Sequence, residues 1–383
     1  MSDTALSGGR PRRRPALFAL RNRLARSRRF QSWAARLPLT RSVAKAEGEA
    51  LFDLVAGFCH SQVLRAVVEL DLLEELIETP RTPAALAGQA GLSADRMTLL
   101  LRAATALGLT EPAGQGAFRT SRRGAALLGV PGLTEMIRHH DILYRDLADP
   151  VAFLRGETEP DLAGFWPYVF GAGGDADPDT KARYSALMAD SQALVAEETL
   201  RAVSFRAARH VMDIGGGTGV FLSAVLARAP EARGTLVDLP GVADAARERF
   251  ERSGQGARAT ILPADFRTDP LPEGADVVTL VRVLYDHADE TVRGLIAKIH
   301  AALPPGGRLV VSEPMSGGDR PERAGDAYFA LYCAAMGTGR TRSRDEIAAH
   351  LRAAGFTGIE TPRVERPFVT GVVTATKASP KSL

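Results

Sequence analysis

Three acids and a run of glycines carry the most legible chemistry in this 383-residue chain. Asp213 stands in Val211-Met212-Asp213-Ile214, directly before Gly215-Gly216-Gly217-Thr218-Gly219. Asp238 follows nineteen residues after Gly219, at the end of Gly234-Thr235-Leu236-Val237. Asp265-Phe266 closes a third apolar run, Thr260 to Pro263. A strand that turns tightly into a helix needs positive φ and no Cβ, which glycine supplies. Bare backbone also lets a ligand come close. An acid at the tip of the next strand is placed to hold two ribose hydroxyls.

The kind of ligand follows from what the turn lacks. A dinucleotide fingerprint needs G-x-G-x-x-G, with the pyrophosphate on the helix N-terminus. Here Gly217-Thr218-Gly219 runs on into Val220-Phe221-Leu222, without the third glycine. Asp213 would repel a pyrophosphate but receive an ammonium group. A cofactor with an amino-acid end, a ribose and no phosphate meets both conditions, and S-adenosyl-L-methionine is that molecule. Asp265 can then bond the adenine amine while Phe266 covers its face. A lone glycine run is often only a structural turn; two downstream acids in register argue for a ligand site.

These residues need elements that bring them to one edge. Residues 205–380 alternate strand and helix, which predicts an α/β, Rossmann-like sheet with helices on both faces. Seven strands are expected, the last pair (near Thr357–Val364 and Phe368–Thr376) antiparallel. Asp276 to Val281 is a near-continuous apolar run, typical of a strand buried on both faces. Arg282-Val283-Leu284-Tyr285-Asp286-His287 leads from it to a helix, Glu290–Leu303, and Glu313 ends the strand that follows, Arg308 to Pro314. Ligands of such sheets lie beyond the strand tips.

Residues 46–155 read as helical. Thr82 can cap a helix with Pro83 at its first position, Ser93 caps another from Ala94 to Leu107, and Gly108 closes it. A hairpin around Phe118-Arg119-Thr120 follows. Together these describe an all-α, winged-helix-like domain, joined through residues 156–204 to the catalytic part, 205–383. A transcriptional regulator is the rival for that shape. The helix Asp95 to Ala104 is mostly apolar, however, which suits packing against another subunit, so no nucleic-acid partner is expected.

Composition sets further bounds. The chain is 45% hydrophobic and 24% charged, as ordinary globular proteins are. Its two cysteines, Cys59 and Cys333, stand far apart. That argues against a disulfide framework or a cysteine zinc site, predicts no metal and suits a reducing cytoplasm. No uninterrupted apolar stretch of about eighteen residues occurs, so no transmembrane helix is expected. The N-terminus lacks the apolar core of a secretory signal. The net charge of +3 hides an asymmetry: residues 1–45 hold eleven Arg, Lys45 and one acid, Asp3, about +11, leaving about −8 elsewhere. Phe18, Leu20, Leu24, Phe30, Trp33 and Leu37 are interleaved with the arginines. Such a segment can lie on an anionic membrane surface, which would make the protein cytoplasmic and peripheral on the inner membrane. A solvated, partly disordered tail has the same composition.

Residues 46–378 resemble the class I, S-adenosylmethionine-dependent O-methyltransferases of the plant caffeate type, with their N-terminal helical dimerisation domain. The matching residues are Asp213 to Gly219, Val237-Asp238-Leu239-Pro240, Ala264-Asp265-Phe266, Leu303-Pro304-Pro305-Gly306-Gly307 and Glu313-Pro314. Within that family, Leu280 to His287, His139 to Pro150 and Gly325 to Phe329 resemble a bacterial branch acting on acyclic carotenoids. The resemblance implies a homodimer and methyl transfer to a hydroxyl. It implies that Gly215 and Gly217 pass the methionine part, that Asp238 and Leu239 meet the ribose, that Asp265 and Phe266 meet the adenine, and that Arg282 joins the cofactor set. It implies a lipophilic substrate, with the tertiary 1-hydroxyl of an acyclic carotenoid as acceptor. A polyketide phenol or a bacteriochlorophyll-type ring is the alternative.

One departure bears on mechanism. Plant-type members carry a general-base His followed by Asp-Trp, and those positions here are Tyr285-Asp286-His287. The first supporting acid is present as Glu313; the second falls near Arg344. Methyl transfer is an in-line displacement with reacting atoms about 3–3.5 Å apart, and the hydroxyl proton needs an acceptor within hydrogen-bond reach. His287 is the first candidate base, with Glu313 to orient whichever His acts and Tyr285 at the displaced catalytic position. His139 and His140 are alternatives, although adjacent residues of a helix are not expected to face one site. An apolar substrate pocket is expected from Phe165-Trp166-Pro167-Tyr168, Tyr184, Met188, Tyr328, Phe329, Tyr332 and Met336, with His140 beside it. Such residues also fill ordinary cores.

Overall fold

The computed structural model describes residues 14–165 and 191–379. Contacts divide the chain into two units, one within Met1–Leu72 and Arg81–Phe118, the other within Leu73–Pro80 and Arg119–Leu383.

The first unit opens with α1 (Arg14–Arg26), α2 (Arg28–Ala34) and α3 (Arg41–Glu69). Ser27 starts α2 by accepting the Phe30 N–H on its hydroxyl. The 29-residue α3 corrects the expectation about membrane-length helices. Charged residues interrupt its apolar run, yet an 18-residue window reaches a mean hydropathy of 1.3 and is 11% buried. By length and composition alone it is long and apolar enough to cross a membrane. Leu51, Phe52, Leu54, Val55 and Phe58 are exposed along it.

α4 (Leu72–Glu75) lies at the unit boundary. α5 (Pro83–Ala87) has Pro83 in its first turn, but the Thr82 hydroxyl makes no cap bond. α6 (Ala94–Ala106) does begin on Ser93, whose hydroxyl accepts the Arg96 N–H. It buries Met97, Leu100, Leu101 and Ala104, the apolar face expected of it. β1 (Thr110–Pro112) and β2 (Phe118–Thr120) form a two-stranded hairpin.

In the second unit, α7 (Arg122–Leu128), α8 (Leu133–Asp146), α9 (Pro150–Leu154), α10 (Asp161–Phe165) and α11 over residues 191–202 precede the sheet. Residue 155 is the domain boundary expected from sequence; contacts instead place α7 to α9, which precede it, with the sheet. The reason is a shared core, in which Leu143, Phe153 and Leu162 are buried with Tyr285, Tyr332, Cys333 and Met336. The Asp146 carboxylate ties α8 to α10 by accepting the Asp161 and Leu162 N–H groups.

Strands and helices then alternate: β3 (His210–Ile214), α12 (Val220–Arg228), β4 (Arg233–Asp238), α13 (Ala243–Arg252), β5 (Ala259–Pro263), β6 (Val277–Val281), α14 (Asp289–Ala302) and β7 (Arg308–Glu313). A short parallel pair, β8 (Met315–Ser316) and β9 (Arg342–Ser343), brackets α15 (Ala330–Met336). After α16 (Arg344–Ala353) come β10 (Phe356–Glu360) and β11 (Gly371–Lys377). The sheet order is β10-β11-β7-β6-β3-β4-β5, parallel except for β11, which runs antiparallel to both neighbours. Seven strands with an antiparallel end pair is the architecture expected. Side chains alternate along each strand. Met212, Ile214 and Leu280 pack with Ile296 and Ile299, while Val211, Val277 and Val281 pack with Phe221 and Val225. Asp213 and Thr279 fall on that second face, and so meet.

The turn after β6 is held by a buried guanidinium. Arg342 has no exposed surface. It donates to the Leu284 carbonyl at 2.7 Å, to the His287 carbonyl at 2.8 Å and twice to Asp289 Oδ1, at 2.9 and 2.6 Å. The cation near this place in the sequence is therefore Arg342 in function, while Arg344 only begins α16. The Asp289 side chain is 38% exposed, so the ion pair itself adds little; removing the guanidinium chiefly orphans the Leu284 and His287 carbonyls, which costs about 1–3 kcal/mol. Arg342→Met, which keeps most of the volume, is expected to lower unfolding free energy by that amount in urea titrations; a loss under about 1 kcal/mol would show that the guanidinium does not hold the turn.

Candidate active site

The glycine turn leaves β3 with Gly215, Gly217 and Gly219 at φ +67°, +56° and +76°, where side chains are strained. Space as well as angle excludes them. A Cβ on Gly216 would lie 2.2 Å from Asp213 Oδ2 and 2.5 Å from Leu236 Cδ1, and one on Gly215 would lie 2.9 Å from Val283 Cγ2. At Gly217 a Cβ would meet nothing within 4 Å, so that residue marks the open side of the turn.

Asp213 is fully buried. Its Oδ1 accepts the Thr279 hydroxyl at 2.6 Å, and its Oδ2 has no partner. Burial pushes its pKa up to about 7, against the Thr279 bond and with the Asp238 charge adding. Asp238 turns its oxygens to the Gly217 and Leu239 N–H groups, at 2.6 and 2.7 Å; burial raises its pKa too. Asp265 is gripped by Arg267, whose Nε and Nη2 donate at 2.9 and 2.8 Å and hold its carboxyl below the usual range. Lys298 Nζ donates to the Phe266, Arg267 and Asp269 carbonyls, each at 3.0 Å, and so fixes the loop that presents Phe266. An orphaned buried carboxylate oxygen, an open glycine turn and a strand-tip acid fit a ligand with an ammonium group and a ribose.

The candidate base is placed elsewhere than expected. His287 leaves its turn in extended conformation, with its carbonyl held by Arg342. Its ring meets Phe266 edge-on, centroids 5.3 Å apart. Burial lowers its pKa to about 4, with Arg267 and Arg342 adding and Asp265 opposing. It thus belongs with the residues assigned to the adenine, not with Tyr285. Glu313 corrects a second expectation: it orients backbone, not a histidine. Its Oε2 accepts the Leu284 and Tyr285 N–H groups at 2.9 and 3.2 Å, Oε1 has no partner, and burial pushes its pKa up to about 7.

Tyr285 is 1% exposed, and its phenol oxygen accepts from Arg282 Nη2 at 3.3 Å. Arg282 holds φ +59°, and its Nη1 donates to Ser191 at 2.7 Å. Its guanidinium therefore reaches Ser191 and the Tyr285 hydroxyl. Asp286 was not a sequence candidate; its buried Oδ1 has no partner, and burial pushes its pKa up to about 8.

His139 and His140 overturn the expectation that only one can face the site. His139 Nε2 lies 2.9 Å from the Tyr332 hydroxyl, and His140 Nε2 lies 2.7 Å from the Tyr328 hydroxyl. Both reach one segment because Tyr328 and Tyr332 are themselves four residues apart, a helical turn that matches the spread of the two histidines. Met336 is buried in the same cluster. Trp166 and Met188, with Pro167, Tyr168 and Tyr184, lie outside the described residues. Sequence reading also missed Thr279 and Lys298. Thr279 carried a signal, as the one polar residue inside β6; Lys298 carried none.

Comparison with known proteins decides the class. An O-methyltransferase domain model matches residues 144–357, and an O-methyltransferase dimerisation domain model matches residues 52–129. The chain belongs to the O-methyltransferase family. It is 54% identical to the demethylspheroidene O-methyltransferase of Cereibacter sphaeroides, over 93% of this chain and 94% of that one. The enzyme of the same name from Rhodobacter capsulatus is 53% identical, over 92% and 88%. The crystal structure of human N-acetylserotonin methyltransferase in complex with SAM superposes with a TM-score of 0.74 at 25% identity, covering 87% of this chain and 98% of that one. The protein is an S-adenosylmethionine-dependent O-methyltransferase. Gly216→Ala is expected to weaken S-adenosylhomocysteine binding at least about 10-fold, since the new Cβ must displace Asp213 or Leu236. Calorimetric titration checks this, and wild-type affinity would contradict the assignment of the turn.

Proposed function

We propose that the chain methylates the tertiary 1-hydroxyl of an acyclic carotenoid of the demethylspheroidene or hydroxyneurosporene type. The observation carrying this reading is the identity above 50%, over nearly the whole of both chains, with two demethylspheroidene O-methyltransferases. The site supports it: Tyr285, Tyr328, Phe329 and Tyr332 form one aromatic run, with successive centroids 4.8–6.3 Å apart. Tyr285 and Tyr332 are its buried members; Tyr328 and Phe329 are only partly buried, and a polyene can stack on them.

S-adenosylmethionine supplies an electrophilic methyl group when bound. In this reading Asp213 attracts its ammonium end, Gly215 and Gly217 let its methionine part pass, Asp238 with Leu239 takes the ribose, and Asp265, Phe266 and His287 surround the adenine. Arg282 and Glu313 hold Tyr285 and the turn beneath the acceptor. Catalysis is then mainly positioning of the hydroxyl against the methyl carbon. With labelled cofactor, 1-hydroxycarotenoids should yield the methyl ether about 10²-fold faster than phenols; equal or faster methylation of a phenol panel would overturn the reading.

A polyene is delivered from a membrane, and the N-terminus suits that delivery. Leu17, Leu20 and Leu24 recur at helical spacing on α1 and are exposed, as are Phe18 and Trp33. Arg21, Arg23, Arg26, Arg28 and Arg29 surround them. In this reading the protein is cytoplasmic and peripheral on the inner membrane, and it assembles as a homodimer through the domain at residues 52–129. Flotation should bring the full chain, but not a form lacking residues 1–45, up with anionic liposomes at low salt; equal binding of both forms would remove the segment from membrane contact.

A further inference from the structure

With His287 beside Phe266 and Glu313 holding backbone amides, the acceptor's proton has no assigned destination. Tyr285 does not provide one: it is buried, already accepts from Arg282, and burial raises its phenol above the ordinary range. The next hydroxyl along the aromatic wall is that of Tyr328, which touches Phe329, which in turn touches Tyr285. Tyr328 stands in a π-helical turn, Arg323–Phe329, a conformation frequent at functional sites. The first half of the turn is anchored twice. A Cβ on Gly325 would fall 2.0 Å from the Met315 carbonyl, and Asp326 Oδ2 accepts the Gly317 and Glu322 N–H groups at 2.7 Å.

The two His–Tyr pairs differ in setting. Tyr332 is 5% exposed and belongs to the core, so His139–Tyr332 is a packing pair that fastens α8. Both histidines are partly buried, but of the two tyrosines only Tyr328 is so, and His140–Tyr328 is the shorter contact.

We infer that His140, acting through the Tyr328 hydroxyl, accepts the proton of the methyl acceptor. The inference rests on the proposed aliphatic acceptor. As the acceptor oxygen bonds to the methyl carbon, the methyl–sulfur bond breaks and its electron pair stays on sulfur. The hydroxyl proton passes to the Tyr328 oxygen, and the proton Tyr328 held passes to His140 Nε2, with Nδ1 carrying the other ring proton. The products are the methyl ether, the thioether form of the cofactor and an imidazolium, so the positive charge lost by sulfur ends on His140. Burial keeps both partners in the forms this requires. It lowers the His140 pKa, leaving the ring neutral, and pushes Tyr328 up to about 12, leaving the phenol protonated. The other titratable groups around the pair are His139 on the same helix and Tyr332 opposite, with Arg282 acting on both tyrosines.

The test uses the full chain with S-adenosylmethionine and a 1-hydroxycarotenoid. His140→Gln and Tyr328→Phe should each lower kcat about 10²–10³-fold, while the KM for S-adenosylmethionine stays within about 2-fold. Wild-type kcat/KM should rise with pH through one ionisation below about 6.5 and then level, and that limb should vanish in His140→Gln. A folded His140→Gln or Tyr328→Phe protein with kcat within about 3-fold of wild type would overturn the inference. If His140→Gln does not fold, the wild-type profile decides, and an absent acid limb refutes the relay. Failure of the wild type on every 1-hydroxycarotenoid would instead refute the substrate reading.

Discussion

The turn between β6 and α14 is pinned on its two polar faces by a buried guanidinium and a buried carboxyl. Arg342 takes the Leu284 and His287 carbonyls and closes on Asp289, while Glu313 takes the Leu284 and Tyr285 amides. A free turn of this kind would leave its backbone groups to water; here they are removed from water and satisfied by two buried side chains. Everything on the acceptor side depends on that clamp. It sets Tyr285 against Phe329 and sends His287 towards Phe266. It also places Val283 against Gly215, so that the two halves of the site share a wall.

The frame of the cofactor half was legible in the sequence because its turn and strand ends are local features. Asp213, the glycines and Asp238 lie at strand ends whose positions follow from hydrophobic runs, and each residue type has one plausible task there. The sheet was legible for the same reason, down to its antiparallel last pair. The acceptor half was not. His287 and Tyr285 are two residues apart in a turn of irregular backbone, and spacing alone does not give the direction in which either points. Glu313 was placed correctly at a strand tip, but its partners are amides, which leave no mark in a sequence.

The histidine pair on α8 shows a different limit. Adjacent helical residues diverge by about 100°, and against a point-like site that rule admits only one of them. The partner is not a point but a helical turn carrying two tyrosines, so both fit. The same packing explains why residues 119–154 lie with the sheet. Their composition is that of the preceding helices, but Leu143 and Phe153 find their buried surface against Tyr285 and Met336. Composition reports that a helix has an apolar face; it does not report which core receives it.

Asp213, Asp286 and Glu313 are buried carboxyls, each with one oxygen lacking a partner, gathered at the tips of the strands. A cation entering this environment favours their ionised forms, whereas a neutral guest does not. An ammonium group at Asp213 would therefore draw the proton off a carboxyl whose pKa burial holds at about 7.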